Sequence, residues 1–244
     1  MKKAGITGVG ISLDGIKKTH DTIRGYKGLF NRVINGITHI LNADLPLTII
    51  TTVNALNIDE LPSLLSLLES LGVKRWQIQP IFPVGRVHDF SELELTEEAY
   101  LHLGAFVKQY GSQEEKCELK ILPSDSFGYF TEFDTRTPSW QGCPAGLVSC
   151  GITSDGKIKG CLSLPDEITE GDLRHQDLWD IWYSPNSFTF TRKFTKEVLG
   201  SNCRSCDRSE QCLGGCSAMS FESTGNFHND PYCFYRIKKR NLET

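Results

Sequence analysis

Residues 47–53 read Leu47-Thr48-Ile49-Ile50-Thr51-Thr52-Val53, a nearly continuous β-branched run. A strand wetted on one side alternates apolar and polar residues, whereas a strand covered on both faces of a parallel sheet does not. This run therefore reads as a covered parallel strand. Upstream, Val9-Gly10-Ile11-Ser12-Leu13 is a short apolar strand stopped by Asp14-Gly15. Leu29, Val33, Ile37 and Leu41 then recur every fourth position, which lines one face of a helix. Downstream, a helix is expected from about Asn57, whose side chain would cap it while Glu60 complements the free N–H groups of the first turn. Ile58, Leu61, Leu65, Leu68 and Leu71 form its expected buried stripe, and Gly72 ends it. A third strand runs from Trp76 to Ile81 into the turn Pro83-Val84-Gly85, and Glu97-Glu98 open a helix reaching about Tyr110. The βαβαβα order predicts an α/β fold with a parallel sheet and helices on its outer face.

Functional groups in such sheets gather at the carboxyl ends of the strands. Ser12, Asp14, Asn54, Gln79 and Arg86 occupy or adjoin those ends. Each also has an ordinary structural reading: Asp14-Gly15 as a turn, Asn54 as a loop cap, Arg86 as a solvated cation.

The 244 residues, 39% apolar and 23% charged, belong to a folded chain with room for one large domain or two ordinary ones. A formal net charge of −4 gives no support to nucleic acid or an anionic membrane as partner. No apolar stretch approaches the roughly 20 residues that span a bilayer. Met1-Lys2-Lys3 leads into no signal core, so a cytoplasmic location is expected. The nine cysteines divide the chain: none precedes Cys117, and the rest stand at 143, 150, 161, 203, 206, 212, 216 and 233. Two modules follow from that break, residues 1–110 and 143–244, joined by a linker over 111–142.

In the second module Ser154-Asp155-Gly156 lies between Cys150-Gly151-Ile152-Thr153 and Lys157-Ile158-Lys159, a hairpin signal. Leu178, Ile181 and Trp182 mark a short helix. Cys203, Cys206, Cys212 and Cys216 are separated by gaps of two, five and three residues, and Cys233 follows. So short a gap lets neighbouring thiolates share one metal centre, while a disulfide across it is disfavoured in a reducing compartment. Eight cysteines make two sets of four, with Cys117 left over. Four thiolates suit either a tetrahedral zinc or a four-iron cluster, and spacing leaves both open, beside a disulfide framework or buried free thiols. Asp125, Asp166 and Asp172 are available to accept a proton, and none is assigned a role.

Cys203-x2-Cys206-x5-Cys212-x3-Cys216 with Cys233, preceded by Cys150 and by Gly156-x4-Cys161, resembles the SPASM domain of radical S-adenosylmethionine enzymes, the group of anaerobic sulfatase maturases and peptide maturases. Ile11-Ser12-Leu13-Asp14-Gly15 followed by His20-Asp21-Thr22-Ile23-Arg24-Gly25 resembles the fourth strand and following loop of their partial barrel. The resemblance implies the carboxyl-terminal portion of a partial (β/α)6, TIM-like barrel, about strands four to six, followed by a small α+β cysteine-rich domain. It implies two auxiliary 4Fe-4S clusters, one on Cys143, Cys150, Cys161 and Cys216 and the other on Cys203, Cys206, Cys212 and Cys233. It further implies that Ser12 and Arg24 contact S-adenosylmethionine. The implied activity is modification of a peptide or protein through hydrogen abstraction by a 5′-deoxyadenosyl radical, with an electron donor such as flavodoxin or ferredoxin.

One departure stands out. The family's Cys-x3-Cys-x2-Cys loop does not occur in these residues, nor do the first three strands. Strands built for burial would then leave an open edge. The expectation is a truncated or split gene in which Met1 is an internal methionine, a chain unable to cleave S-adenosylmethionine alone, and a possible partner chain that supplies the missing half barrel. The rival expectation is a noncatalytic zinc or iron–sulfur module that serves structure or electron transfer on a partner.

Overall fold

The computed structural model describes residues 2–82, 87, 90–111, 118–124, 127–129, 131–133 and 140–243. They form two compact units. In the first, β1 (Val9–Ser12), β2 (Leu47–Val53), β3 (Arg75–Pro80) and β4 (Lys120–Pro123) make one sheet in the order β1-β2-β3-β4. All three pairings are parallel. Helices α1 (Lys18–Arg24), α2 (Leu29–Asn42), α3 (Leu61–Ser70) and α4 (Glu97–Gly111) fill the connections. The α/β architecture expected from the strand patterns is present.

The register shows how the two faces differ. Ile11, Ile49, Trp76 and Ile121 stand opposite one another across the four strands. Ile49, Trp76 and Ile121 are buried, and the Trp76 ring meets Phe106 of α4 edge-on at 6.0 Å, so the helices cover this row. The neighbouring row, Ser12, Ile50, Gln77 and Leu122, is only half-buried. Along β2 the burial alternates residue by residue, Leu47, Ile49, Thr51 and Val53 inward to the helices and Thr48, Ile50 and Thr52 half-open. A strand read as covered on both faces is thus sealed on one, and the second face carries the polar residues.

Three local readings change. Asn57 does not cap a helix: Ile58–Glu60 form a 3-10 turn, and the Asn57 carboxamide accepts the Asn54 N–H and donates to the Asp14 and Thr52 carbonyls. Glu60 likewise leaves its own helix to accept the Ile16 N–H at 2.7 Å and the Thr19 hydroxyl at 2.6 Å. The α3 stripe is Leu61, Leu64 and Leu68, one position off the expected Leu65. In addition, residues 120–123, read as linker, are β4: Lys120 to Pro123 pair with Arg75 to Ile78.

The second unit holds a three-stranded antiparallel sheet of β5 (Gly151–Ile152), β6 (Lys157–Lys159) and β7 (Gly171–Asp172). The β5–β6 hairpin turns at the expected Asp155-Gly156. Helix α5 (Leu178–Tyr183) is capped by Asp177, whose carboxylate accepts the Trp179 N–H at 2.8 Å. Helices α6 (Thr189–Arg192), α7 (Ser209–Cys212), α8 (Ser217–Thr224) and α9 (Phe234–Glu243) complete the unit. Among the described residues no helix is long and apolar enough to cross a membrane.

Candidate functional site

The carboxyl end of β1 carries a dense polar network. Asp14 is buried, and its Oδ2 receives Arg24 through Nε at 2.6 Å and Nη2 at 2.5 Å. Oδ1 receives the Thr52 N–H at 2.8 Å, which ties the carboxylate to β2. His20, also buried, accepts the Asp14 N–H on Nδ1 at 3.1 Å. That bond places the ring proton on Nε2, which has no partner among the described residues. Burial pushes the His20 pKa down, against the opposing charge of Asp14. Thr51 links three strands: its hydroxyl accepts Trp76 Nε1–H at 2.8 Å and donates to the Leu13 carbonyl at 2.7 Å. Gly15 closes the loop at φ 147°, where a Cβ would lie 2.8 Å from Thr19 and 2.9 Å from Glu60. A side chain there would break the Glu60 contacts.

Of the two residues expected to meet S-adenosylmethionine, Ser12 sits on the half-open polar face with its hydroxyl unbonded among the described residues. Arg24 is held by Asp14, but its side chain remains 38% exposed. With Nε and one Nη2 proton used on Asp14, the remaining guanidinium protons are left for a ligand carboxylate or hydroxyl. These two side chains fit the cofactor's polar groups. Asn54 and Gln79 serve the scaffold: Asn54 accepts the Leu56 N–H, and Gln79 donates to the Thr52 hydroxyl. Arg86, Cys117 and Asp125 lie outside the described residues.

In the second unit Cys203, Cys206, Cys212 and Cys233 line one pocket together with Asp230. The chain reaches this arrangement through tight turns. Cys206 N–H bonds to the Cys203 carbonyl, and α7 ends at Leu213, whose φ of 56° begins the left-handed run Leu213-Gly214-Gly215. That run returns the chain past Asp230. Burial raises three of these thiols, Cys203 to about 12 and Cys233 to about 11, with Asp230 and the neighbouring cysteines adding to it. Cys212 moves in the same direction from burial and the nearby Cys233. The charge of Cys206 adds to the rise at Cys203 and Cys233, so the four side chains lie close together.

The other expected set is only partly assembled. Burial, then the charge of Cys143, raises Cys216 to about 12, and both cysteines pack on the cluster of Tyr129, Trp140 and Cys212. Cys150 packs instead on Ile158, Ile181 and Phe188. Because Gly151 pairs with Lys159, Cys150 and Cys161 flank the open end of the β5–β6 hairpin. Among the described residues no three His, Cys, Asp or Glu side chains converge as a single-ion site, and the eight described cysteines are all unpaired.

Several residues here escape sequence reading. Trp140 donates Nε1–H to the Cys212 carbonyl at 2.9 Å, and the Tyr129 hydroxyl accepts the Cys216 N–H at 2.9 Å. His228 spans the Leu213 and Phe190 carbonyls at 2.6 and 2.5 Å. Asp230 is 1% exposed; Oδ1 accepts the Tyr232 N–H at 2.8 Å, and Oδ2 has no partner in hydrogen-bond geometry among the described residues. Burial raises its pKa to about 6, against the Tyr232 N–H and the Tyr129 hydroxyl. The only signal for it was the Asp-Pro step three residues before Cys233. The other aspartates make ordinary ion pairs, Asp166 with Lys159 at 3.2 Å and Asp172 with Arg174.

An orphaned buried carboxylate oxygen beside four protonatable thiols is costly unless a cation joins them. The donor set fits a thiophilic metal or cluster. Residues 143–207 match the SPASM iron-sulfur cluster-binding domain. The chain is a relative of the radical SAM/SPASM enzymes and carries their SPASM domain. It is 29% identical over 256 residues to an AdoMet-dependent heme synthase of Methanosarcina barkeri, covering 98% of this chain and 71% of that protein. A PqqA peptide cyclase of Methylocella silvestris is 26% identical over 253 residues, covering 94% of this chain and 61% of that one. Among solved structures, anSMEcpe with bound AdoMet superposes with a TM-score of 0.69 at 16% identity, covering 96% of this chain and 62% of that chain. Streptococcus suis SuiB superposes at 0.65 and 19% identity, covering 92% and 54%. The radical SAM/SPASM fold is therefore shared, and this chain spans roughly half to seven-tenths of the relatives' lengths.

Proposed function

We propose that this chain forms the later barrel strands and the auxiliary-cluster domain of a radical SAM/SPASM enzyme that modifies a peptide or protein. The observation that carries the proposal is that Cys203, Cys206, Cys212 and Cys233 line one pocket together with the buried Asp230. In this reading those four cysteines hold one four-iron cluster, and Cys143, Cys150, Cys161 and Cys216 hold the other. Unpaired cysteines throughout the described residues suit a reducing cytoplasm.

Ser12 and Arg24 would bind the polar groups of S-adenosylmethionine, with Asp14 aiming the guanidinium and His20 and Thr52 holding Asp14. When bound, that cofactor would supply the 5′-deoxyadenosyl radical for hydrogen abstraction; the auxiliary clusters would accept an electron or bind substrate, and a donor such as flavodoxin or ferredoxin would supply reducing electrons. The half-open face of Ser12 and Gln77 would give the substrate polar contacts. The Cys-x3-Cys-x2-Cys loop, absent from these 244 residues, would come from a further segment or chain. The outer edge of β1 has no strand partner among the described residues, and Ile11, Leu29, Val33 and Gly36 form an apolar groove beside it. Additional strands would dock there.

Peptide substrates are drawn from solved relatives, anSMEcpe with the Kp18Cys peptide and SuiB with precursor peptide SuiA. A second reading, a tetrapyrrole substrate, is favoured by the 29% identity to the heme synthase. Anaerobic reconstitution should yield about eight iron and eight sulfide per chain. About two zinc without sulfide would defeat the assignment. Coexpression with a chain carrying the cysteine triplet and missing strands should produce 5′-deoxyadenosine. A stable complex that never produces it favours the structural module. Product analysis with peptide and tetrapyrrole substrates then separates the two enzymatic readings.

A further inference from the structure

We propose that Asp230 is a negative charge shared by both auxiliary centres, lowering the reduction potential of each. The inference rests on the iron–sulfur reading above. Asp230 lines the pocket of Cys203, Cys206, Cys212 and Cys233, and its main-chain N–H donates to the Cys203 sulfur. Gly215, the chain neighbour of Cys216, lies against the Asp230 Oδ2, so the carboxylate borders Cys216 of the other set as well as the pocket of the first. It therefore stands where the two sets adjoin.

The surroundings hold that charge without neutralising it. One oxygen is fixed by the Tyr232 N–H and the Tyr129 hydroxyl faces the carboxyl, and neither group carries a positive charge. Gly215 makes the close approach possible: a Cβ there would fall 2.8 Å from the Asp230 Cβ and 2.9 Å from Oδ2, at a backbone φ of 82°. Arg236 is the cation whose charge reaches Asp230, and its Nη2 is spent on the Pro231 carbonyl at 2.6 Å. A fixed anion favours the more positive, oxidised state of a neighbouring cluster, and in a dry interior the effect is little screened. A ligand cysteine belongs to one centre; this carboxylate acts on both.

The test is Asp230→Asn in the anaerobically reconstituted full chain, with redox titration followed by electron paramagnetic resonance. Asparagine keeps an oxygen for the Tyr232 N–H and removes the charge. Both midpoints should rise by about tenfold or more in the reduction equilibrium, 59 mV for a one-electron couple, with iron content unchanged. Unmoved midpoints, or movement of one alone, overturn the inference. If the asparagine variant loses iron, Asp230→Ser is read the same way. Loss of iron from both, with Asp230→Glu still loaded, makes Asp230 a ligand or scaffold residue and also overturns it. Wild-type protein that takes up no iron defeats the iron–sulfur reading first, a failure distinct from iron-loaded variants with unchanged midpoints.

Discussion

Thr51→Val removes one hydroxyl and keeps the shape of the side chain. That hydroxyl accepts Trp76 Nε1–H and donates to the Leu13 carbonyl, both within the buried face of the sheet. Valine leaves the indole N–H without a partner and takes one from the carbonyl. Each buried polar group so stranded costs about 1–3 kcal/mol, and the added methyl group returns a fraction of it. A net loss of about 3 kcal/mol is expected. With a urea slope of ~2 kcal/mol/M, the unfolding midpoint should fall by about 1.5 M, read by Trp fluorescence. Trp76→Phe removes the donor, so its cost should shrink in the Thr51→Val background, giving a coupling of about 1 kcal/mol. Because Leu13 lies between Ser12 and Asp14, the same substitution should also loosen the Arg24 anchor. A loss below about 0.5 kcal/mol, or strict additivity of the pair, would refute the account of a strand-spanning hydroxyl.

Three further outcomes follow from the geometry. His20 is buried with a lowered pKa, so the unfolded chain binds the extra proton; stability is full above the ordinary histidine value of about 6.5 and falls as pH drops below it. Urea midpoints from pH 7.5 to 5.5 should show this slope, and His20→Gln should flatten it. Gly15→Ala forces a side chain into a φ of 147° against Thr19 and Glu60, and a loss of at least about 1 kcal/mol should appear in thermal unfolding. Serine replacing Cys203 or Cys206 should remove about four iron and leave the second centre's signal, while Cys143→Ser or Cys161→Ser should do the converse. Loss of all iron from every single variant would show that the two centres load as one.

Residues 47–53, the Asp14-Gly15 stop and the four-residue periodicity of Leu29 to Leu41 carry the parallel α/β sheet on their own, because local burial pattern and turn chemistry are short-range properties. The cysteine spacing likewise marks Cys203, Cys206, Cys212 and Cys216, with Cys233 after them, as a metal-binding block, but which four share a centre comes only from the family resemblance, since spacing leaves Cys216 and Cys233 interchangeable. Beyond that range the chain is silent. Nothing local tells that Asn57 and Glu60 desert their helix for the loop after β1, 43 and 44 residues away, or that Arg24 is anchored on Asp14. Nor does composition separate Asp230 from Asp166 or Asp172. One is a buried carboxylate lining the thiol pocket and the others, reached by solvent, are each paired with a cation, and that difference is made by desolvation, which exists only once distant segments have packed together.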